Sequence, residues 1–195
     1  MPKLTFKYGT MNAGKSLDLI KTAHSYREQG ATVKIIKPKI DIRFSDKEVV
    51  SRIGMSEDAT PIDNTVNAIS EVVKPQPQWT KTYSNPIYLL VDEAQFLTKQ
   101  QVKYLSHLVD WFNIHVICYG LKTDFLGQFF EGSSELMRLA DKIEEIPTLC
   151  TYCLKPASMN MRLIDGQPDT DGEQIVIGDS EYIAVCRKCF YKNIR

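Results

Sequence analysis

The sequence predicts an α/β domain: a parallel sheet of the P-loop NTPase type flanked by helices, followed by a small C-terminal zinc-anchored lasso domain. Three observations predict it. Strand-like and helix-like segments alternate from residue 4 to residue 146, the pattern of a parallel sheet covered by helices. "GTMNAGKS" (9–16) fits the phosphate-binding loop G-x-x-x-x-G-K-[ST] and stands between a predicted strand and a predicted helix, the context that motif requires. From Cys150 onward, paired cysteines, a proline and an acidic turn replace the long helices, which puts the boundary near Thr148: residues 1–148 for the first domain, 149–195 for the second.

Leu4, Phe6 and Tyr8 alternate in a first strand that ends at Gly9. From Lys15 to about Gln29 the pattern is helical, with Leu19, Ile20, Ala23 and Tyr26 on one face and Gly30 as a stop. "TVKIIK" (32–37) is the next strand. Residues 38–86 read as a polar loop region and a Pro-rich stretch. "IYLLVDEAQF" (87–96) reads as one strand, apolar enough to be central and ending in two acids. Thr98 and Gln101 form a capping box for a helix whose buried stripe is Val102, Leu105, Val109 and Phe112. "IHVICYG" (114–120) is another buried strand, 133–141 a helix and 142–146 an extended segment.

The totals bound the function. The 195 residues suffice for one ordinary domain plus a small one, and 43% hydrophobic content supports a sizeable core. Charges balance at 24 and 24, which argues against nucleic acid as the main partner. The phosphate loop begins at residue 9, leaving no room for a signal peptide, and no apolar run reaches membrane-spanning length, so a cytoplasmic protein with no membrane partner is expected.

In the phosphate loop, Gly9, Thr10, Met11, Asn12, Ala13 and Gly14 let the backbone wrap an ATP phosphate chain. Lys15 supplies a cation to the β- and γ-phosphates and Ser16 a hydroxyl for Mg²⁺. "LLVDE" has the form of the acidic metal-binding strand that accompanies such loops: Asp92 would hold the water shell of Mg²⁺. Glu93, directly after it, is placed to activate a nucleophile, either water (an ATPase) or a substrate hydroxyl (a kinase). A GTPase reading fails on guanine recognition, because "LKTD" (121–124) has Leu121 where N-K-x-D needs asparagine.

"CTYC" (150–153) and "CRKC" (186–189) can each place two thiolates on a tight knuckle, and together Cys150, Cys153, Cys186 and Cys189 suit a structural zinc site. Disulfides are the alternative. Cys118, inside a predicted core strand, reads as a small buried hydrophobe. The acidic turn "DGQPDTDGE" does not match a calcium loop, since Gln167 and Gly178 occupy its first and twelfth ligand positions; it reads as a mobile loop tip.

Taken in order, "GTMNAGKS", "IKPKIDIR", "SRIG", "DEAQF", "GLKTDF", "CTYC" and "IGDSEYIAVCRKC" resemble the thymidine kinases of the cellular, zinc-containing type, along almost the whole chain. The resemblance implies transfer of the ATP γ-phosphate to the 5′-hydroxyl of thymidine, with deoxyuridine as a candidate second acceptor, dTTP as a feedback inhibitor and a homotetrameric assembly. It makes Glu93 the base, Asp92 and Ser16 the Mg²⁺ residues, and Asp41 and Arg43 part of the transfer site; Arg43 has a surface ion pair as its alternative. It extends the nucleotide contacts to Ala94 and Gln95. It builds the nucleoside pocket from Met11, Phe96, Leu121, Phe125 and Phe130, which could equally be core packing. In the lasso, backbone groups at Ile175, Val176, Ile177 and Gly178 would read the base, with Tyr182 near the sugar. The chain departs from the family's end motif: Ser180 stands where an acid is usual, and "IGDSEY" is one residue shorter than the common form. Two rivals come from other classes: a nucleic-acid-gripping ATPase, against which the neutral charge weighs, and a non-enzymatic nucleotide sensor, which Glu93 disfavours.

Overall fold

The computed structural model describes residues 1–40, 47–74, 85–172, 174 and 181–194. Its centre is a six-stranded, all-parallel sheet. The strands are β1 (Leu4–Tyr8), β2 (Thr32–Pro38), β5 (Thr60–Ile62), β6 (Ile87–Val91), β7 (Ile114–Gly120) and β8 (Lys142–Glu145), in the order β5-β2-β6-β7-β1-β8. A parallel sheet must be covered on both faces, and the strands divide their side chains accordingly. Leu4, Phe6, Ile36, Leu89, Val91, Val116 and Cys118 enter one core, with α2 (Val66–Val73), α3 (Lys99–Phe112) and α4 (Glu131–Leu139). Ile35, Leu90, Ile117 and Tyr119 enter the other, under α1 (Lys15–Glu28). The period-two alternation of each strand thus feeds two different layers. Cys118 lies in the first of them with no exposure, as expected, and burial pushes its thiol pKa far up.

The capping box at Thr98 is present: its hydroxyl accepts from Gln101 N at 3.2 Å, while Gln101 Oε1 accepts from Thr98 N at 3.0 Å. Two expectations change. The strand expected over 87–96 stops at Val91, because Glu93 takes a left-handed conformation (φ 48°, ψ 41°) that no strand can contain; residues Ala94–Phe96 then form one turn of 3₁₀ helix. Residues 38–86 hold more than loop: an antiparallel hairpin of β3 (Glu48–Val50) and β4 (Ser56–Asp58), the edge strand β5, and α2, capped by the Thr65 hydroxyl accepting from Ala68 N. Those strands have three residues each, too short for a periodic signal.

A third, separate core belongs to the C-terminal residues. β9 (Met159–Ile164) lies between β10 (Gln167–Pro168) and β11 (Glu181–Val185), and α5 (Arg187–Asn193) follows. Met161, Leu163, Ala184, Val185 and Phe190 pack around Cys150. The acidic turn closes the β9–β10 hairpin through Asp165 and Gly166, at φ 51° and 76°, the Asp-Gly pairing that a two-residue hairpin loop with two left-handed residues favours. No helix among the described residues is long and apolar enough to cross a membrane.

Candidate active site

The phosphate loop leaves β1 between its neighbours β7 and β8. Gly9 N donates to Gly120 O at 3.2 Å, pinning the loop to the sheet. A Cβ on Gly9 would lie 2.9 Å from both Ala13 Cβ and Ile146 O, so only glycine fits. Asn12 (φ 65°) and Gly14 (φ 80°) turn the chain into α1, with Gly14 as its N-cap. The first amides of a helix have no partner within it and carry its positive dipole end, which suits a phosphate. Lys15, nearly buried, folds back so that Nζ donates to Thr10 O at 2.8 Å.

Across the sheet, Asp92 closes the β6 ladder by donating its N–H to Ile36 O at 3.0 Å, and it is 4% exposed. Glu93 follows in its left-handed conformation, which is sterically costly for a residue with a Cβ and persists only where its surroundings hold it. Gln95 does the holding. Its Nε2 donates to Glu93 Oε2, and its Oε1 accepts from Leu121 N at 3.0 Å. Two glycines make this possible: a Cβ on Gly120 would sit 2.8 Å from Gln95 Oε1, and one on Gly132 would strike Ala94 O, Leu97 O and Gln95 O. Gln95 and Ala94, assigned by resemblance to the nucleotide, are both buried; Gln95 stands behind Glu93 and aims it.

Lys15, Ser16, Asp92 and Glu93 open onto one cavity of about 220 Å³, whose wall also includes Met11 and Asn12. Two cationic residues to which the sequence gave no separate role line it as well: Lys37, 3% exposed with Nζ donating to Glu48 O at 3.3 Å, and Arg52, exposed on the β3–β4 turn. Asp41 and Arg43 lie outside the described residues, as do Ile175, Val176, Ile177, Gly178 and Ser180.

Of the aromatic and aliphatic residues expected around a nucleoside, Met11 is on that cavity; Phe96, Leu121, Phe125 and Phe130 are not among its described lining. Phe96 and Phe130 meet edge to face at 5.8 Å, and Phe125 and Phe130 are buried. Asp124, the near miss to guanine recognition, shapes this region instead: Oδ1 accepts from Leu126 N and Gln128 N, and Oδ2 from Gln174 Nε2.

Sequence reasoning passed over β9. Its odd residues, Met161 and Leu163, face the C-terminal core, while the even ones, Asn160 and Arg162, are 3% and 2% exposed against the first domain. The Arg162 guanidinium lies 3.6 Å from the centre of the Phe125 ring and pairs with Asp169. Burial alone would lower its pKa, but hydrogen bonds to Tyr182 and Asp169 raise it above the ordinary value. Tyr182 stands opposite Arg162 in the β11–β9 register. The visible signal was two polar residues alternating with apolar ones in "MNMRLI".

The four paired cysteines converge. Their sulfur atoms all lie within 4.8 Å of one another, and Cys153 and Cys186 Sγ are 3.7 Å apart. Four sulfurs at about 2.3 Å from one tetrahedral zinc ion stand about 3.8 Å apart, so the set matches that metal. None of the cysteines is in a disulfide. Cys150 to Leu154 form the first knuckle, turned by Leu154 at φ 59°, and Cys186 caps α5 with Sγ accepting from Cys189 N. Burial pushes the Cys150 thiol up, yet N–H donors from Cys186, Tyr152 and Cys153 outweigh it and lower it. The Cys189 N–H lowers Cys186, while burial and the neighbouring sulfurs push Cys189 up, so the cluster by itself shares its charge among fewer than four thiolates.

Comparison with known proteins agrees with this geometry. The family model described as "Thymidine kinase" matches residues 2–190. A curated protein of Lactococcus lactis named thymidine kinase is 47% identical over 98% of this chain and 98% of its own length. One from Streptococcus pyogenes with the same name is 44% identical over 98% of both. One from Enterobacteria phage T4, again named thymidine kinase, is 47% identical over 96% of this chain and 95% of its own.

Proposed function

The chain belongs to the thymidine kinase family, a family of phosphotransferases, and from that premise we propose that it passes the γ-phosphate of ATP to the 5′-hydroxyl of thymidine, with Glu93 as the general base. The observation that carries the assignment is Glu93 itself: a left-handed carboxylate, aimed by a buried glutamine, on the same cavity as Lys15, Ser16 and Asp92. Backbone strain of this kind is kept where a side chain must project from a strand end in one direction.

In this reading the amides at the start of α1 and Lys15 hold the triphosphate, and Glu93 takes the proton of the attacking hydroxyl as the P–O bond forms. Ser16 and Asp92 would hold a Mg²⁺ ion, which would supply positive charge beside the phosphates. Arg52 and Lys37 add positive charge to the cavity, and Arg43 is a further candidate for the transferring group. Zinc held by the four cysteines would take no chemical step; it would tie together both ends of the segment 154–185, inside a second unit of residues 149–195. Met11, Phe96, Leu121, Phe125, Phe130 and Tyr182 would form the nucleoside wall, and the resemblance assigns residues 175–178, outside the described residues, to the base.

A panel of nucleosides with Mg-ATP tests the reading. Thymidine is expected to be phosphorylated well above purine nucleosides, and ATP is expected to turn over little without a nucleoside. ATP hydrolysis independent of any nucleoside would replace the kinase by an ATPase.

The family resemblance adds a homotetramer and inhibition by dTTP. dTTP carries the product's base and a triphosphate, so its base would sit in the nucleoside pocket while its phosphates run back toward residues 9–16. Inhibition is expected to rise with falling thymidine and to raise the apparent KM for ATP. If saturating thymidine leaves dTTP inhibition untouched, dTTP acts at a separate regulatory site.

A further inference from the structure

Asn160, on the buried even face of β9, makes two side-chain hydrogen bonds, and both leave the C-terminal unit. Its Oδ1 accepts from Met11 N at 2.7 Å, across 149 positions of sequence, and its Nδ2 donates to Thr123 O at 2.9 Å. A primary amide offers one acceptor and one donor edge in a single plane, which is the chemistry needed to clasp an N–H on one loop and a C=O on another. The two ends are not equivalent. Met11 is inside the phosphate loop; Thr123 belongs to the segment that begins at Leu121 and carries Phe125.

We propose that Asn160 is a positioning residue for phosphoryl transfer. It locks the phosphate loop to the nucleoside-side segment, so that the metal-bearing unit sets the spacing between the phosphate and its acceptor as well as closing the base pocket. This rests on the thymidine kinase reading and deepens it.

The surroundings support the clasp. The hydroxyls of Thr10 and Thr123 are buried with no hydrogen-bond partner among the described residues. Both line, with Asn160, Tyr8 and Lys122, a small cavity of about 10 Å³, at the threshold of room for one water. The seam between the two units is therefore polar at Asn160. Arg162, its neighbour on the same face, is committed to Asp169 and the Phe125 ring. Removing the amide leaves the buried Thr123 C=O and the part-buried Met11 N–H without this partner, an unfavourable state that the loop relieves by moving.

The test pairs a chemical with a kinetic reading, on the full chain with zinc content measured for each variant. Hydrogen exchange at the Met11 amide, followed by NMR, reports its bond to Asn160 directly. In Asn160→Ala that exchange is expected to accelerate about tenfold or more and kcat to fall about 10–100-fold, as for a reacting group displaced by about 1 Å, with the KM for ATP within about threefold of the parent. Asn160→Asp keeps the acceptor for Met11 and turns an oxygen toward Thr123 O. Its Met11 amide should stay protected while the KM for thymidine rises, and it decides the matter if the alanine variant fails to fold. Unchanged Met11 exchange in Asn160→Ala, an alanine variant whose loss is confined to the KM for thymidine with kcat intact, or equal loss of Met11 protection in Asn160→Asp would each overturn the proposal. A parent chain inactive on thymidine would instead sink the function proposed above, and Met11 exchange would still decide whether the clasp exists.

Discussion

Glu93→Gln is expected to lower turnover by about 10²–10⁴-fold, the range typical of losing a general base, with little change in Mg-ATP affinity. The substitution isolates proton transfer because the structure accommodates it. Gln95 Nε2 donates to Glu93 Oε2, and a glutamine at 93 can present its own carbonyl oxygen to that donor. The left-handed backbone, the bond from Leu121 N to Gln95 and the phosphate loop, two strands away beyond β7, all remain. What disappears is the ability to accept a proton. Steady-state kinetics with thymidine, beside direct titration of Mg-ATP, measures the two effects separately. Turnover at the parent level would remove Glu93 from the chemistry, and a matching loss of ATP affinity would make its role electrostatic.

Loss of one zinc thiolate is expected to have the next largest effect. In Cys153→Ser or Cys186→Ser three thiolates remain, the metal is held far more weakly, and its content per chain should fall below about half an ion. The knuckles join where Thr151 N and Oγ1 both reach Ala184 O, at 2.9 and 3.0 Å, so opening one frees the end of β11 and with it Tyr182. Closing the segment 154–185 without metal costs chain entropy that grows only slowly with length. Thymidine affinity should therefore drop about tenfold or more through lost preorganisation, and thermal stability with it. The sheet and the residues 9–16 rest on the two other cores, so Mg-ATP binding should survive in the folded fraction. Cys118→Ser, in the first of those cores, should leave zinc content unchanged. Metal analysis beside separate thymidine and ATP titrations checks all three variants. A full zinc complement after losing Cys153 or Cys186, or parent thymidine affinity without zinc, would contradict the clamp.

Much of this was legible from contiguous residues. The phosphate loop, the acidic pair after β6, the capping box at Thr98 and the two Cys-x-x-Cys knuckles are each local devices, whose spacing follows from one turn of backbone. The hairpin β3–β4 was not legible. Its three-residue strands carry no usable period, and its contribution to the cavity, Arg52, is an ordinary exposed arginine in sequence. Gln95 gave no sign of its task either, since the partner that orients it, Leu121 N, is 26 positions away.

The amino-acid sequence by itself determined the alternating architecture, the phosphate-loop motif, the acidic pair that follows β6 and the four paired thiols of the C-terminal unit. Each rests on interactions within a few residues or on the period of a single element. Only the tertiary structure decided what covers each face. In "MNMRLI" the alternation says that Asn160 and Arg162 share one side of β9 and Met161 and Leu163 the other. Read alone, that is a half-exposed strand with its polar side in water. In the folded chain the polar side is buried: Asn160 bonds to Met11 N and Thr123 O of the first domain, and Arg162 lies on the Phe125 ring and pairs with Asp169. A periodic pattern fixes which residues lie together on a surface; the identity of the surface opposite depends on contacts more than a hundred residues apart, and no local pattern carries that.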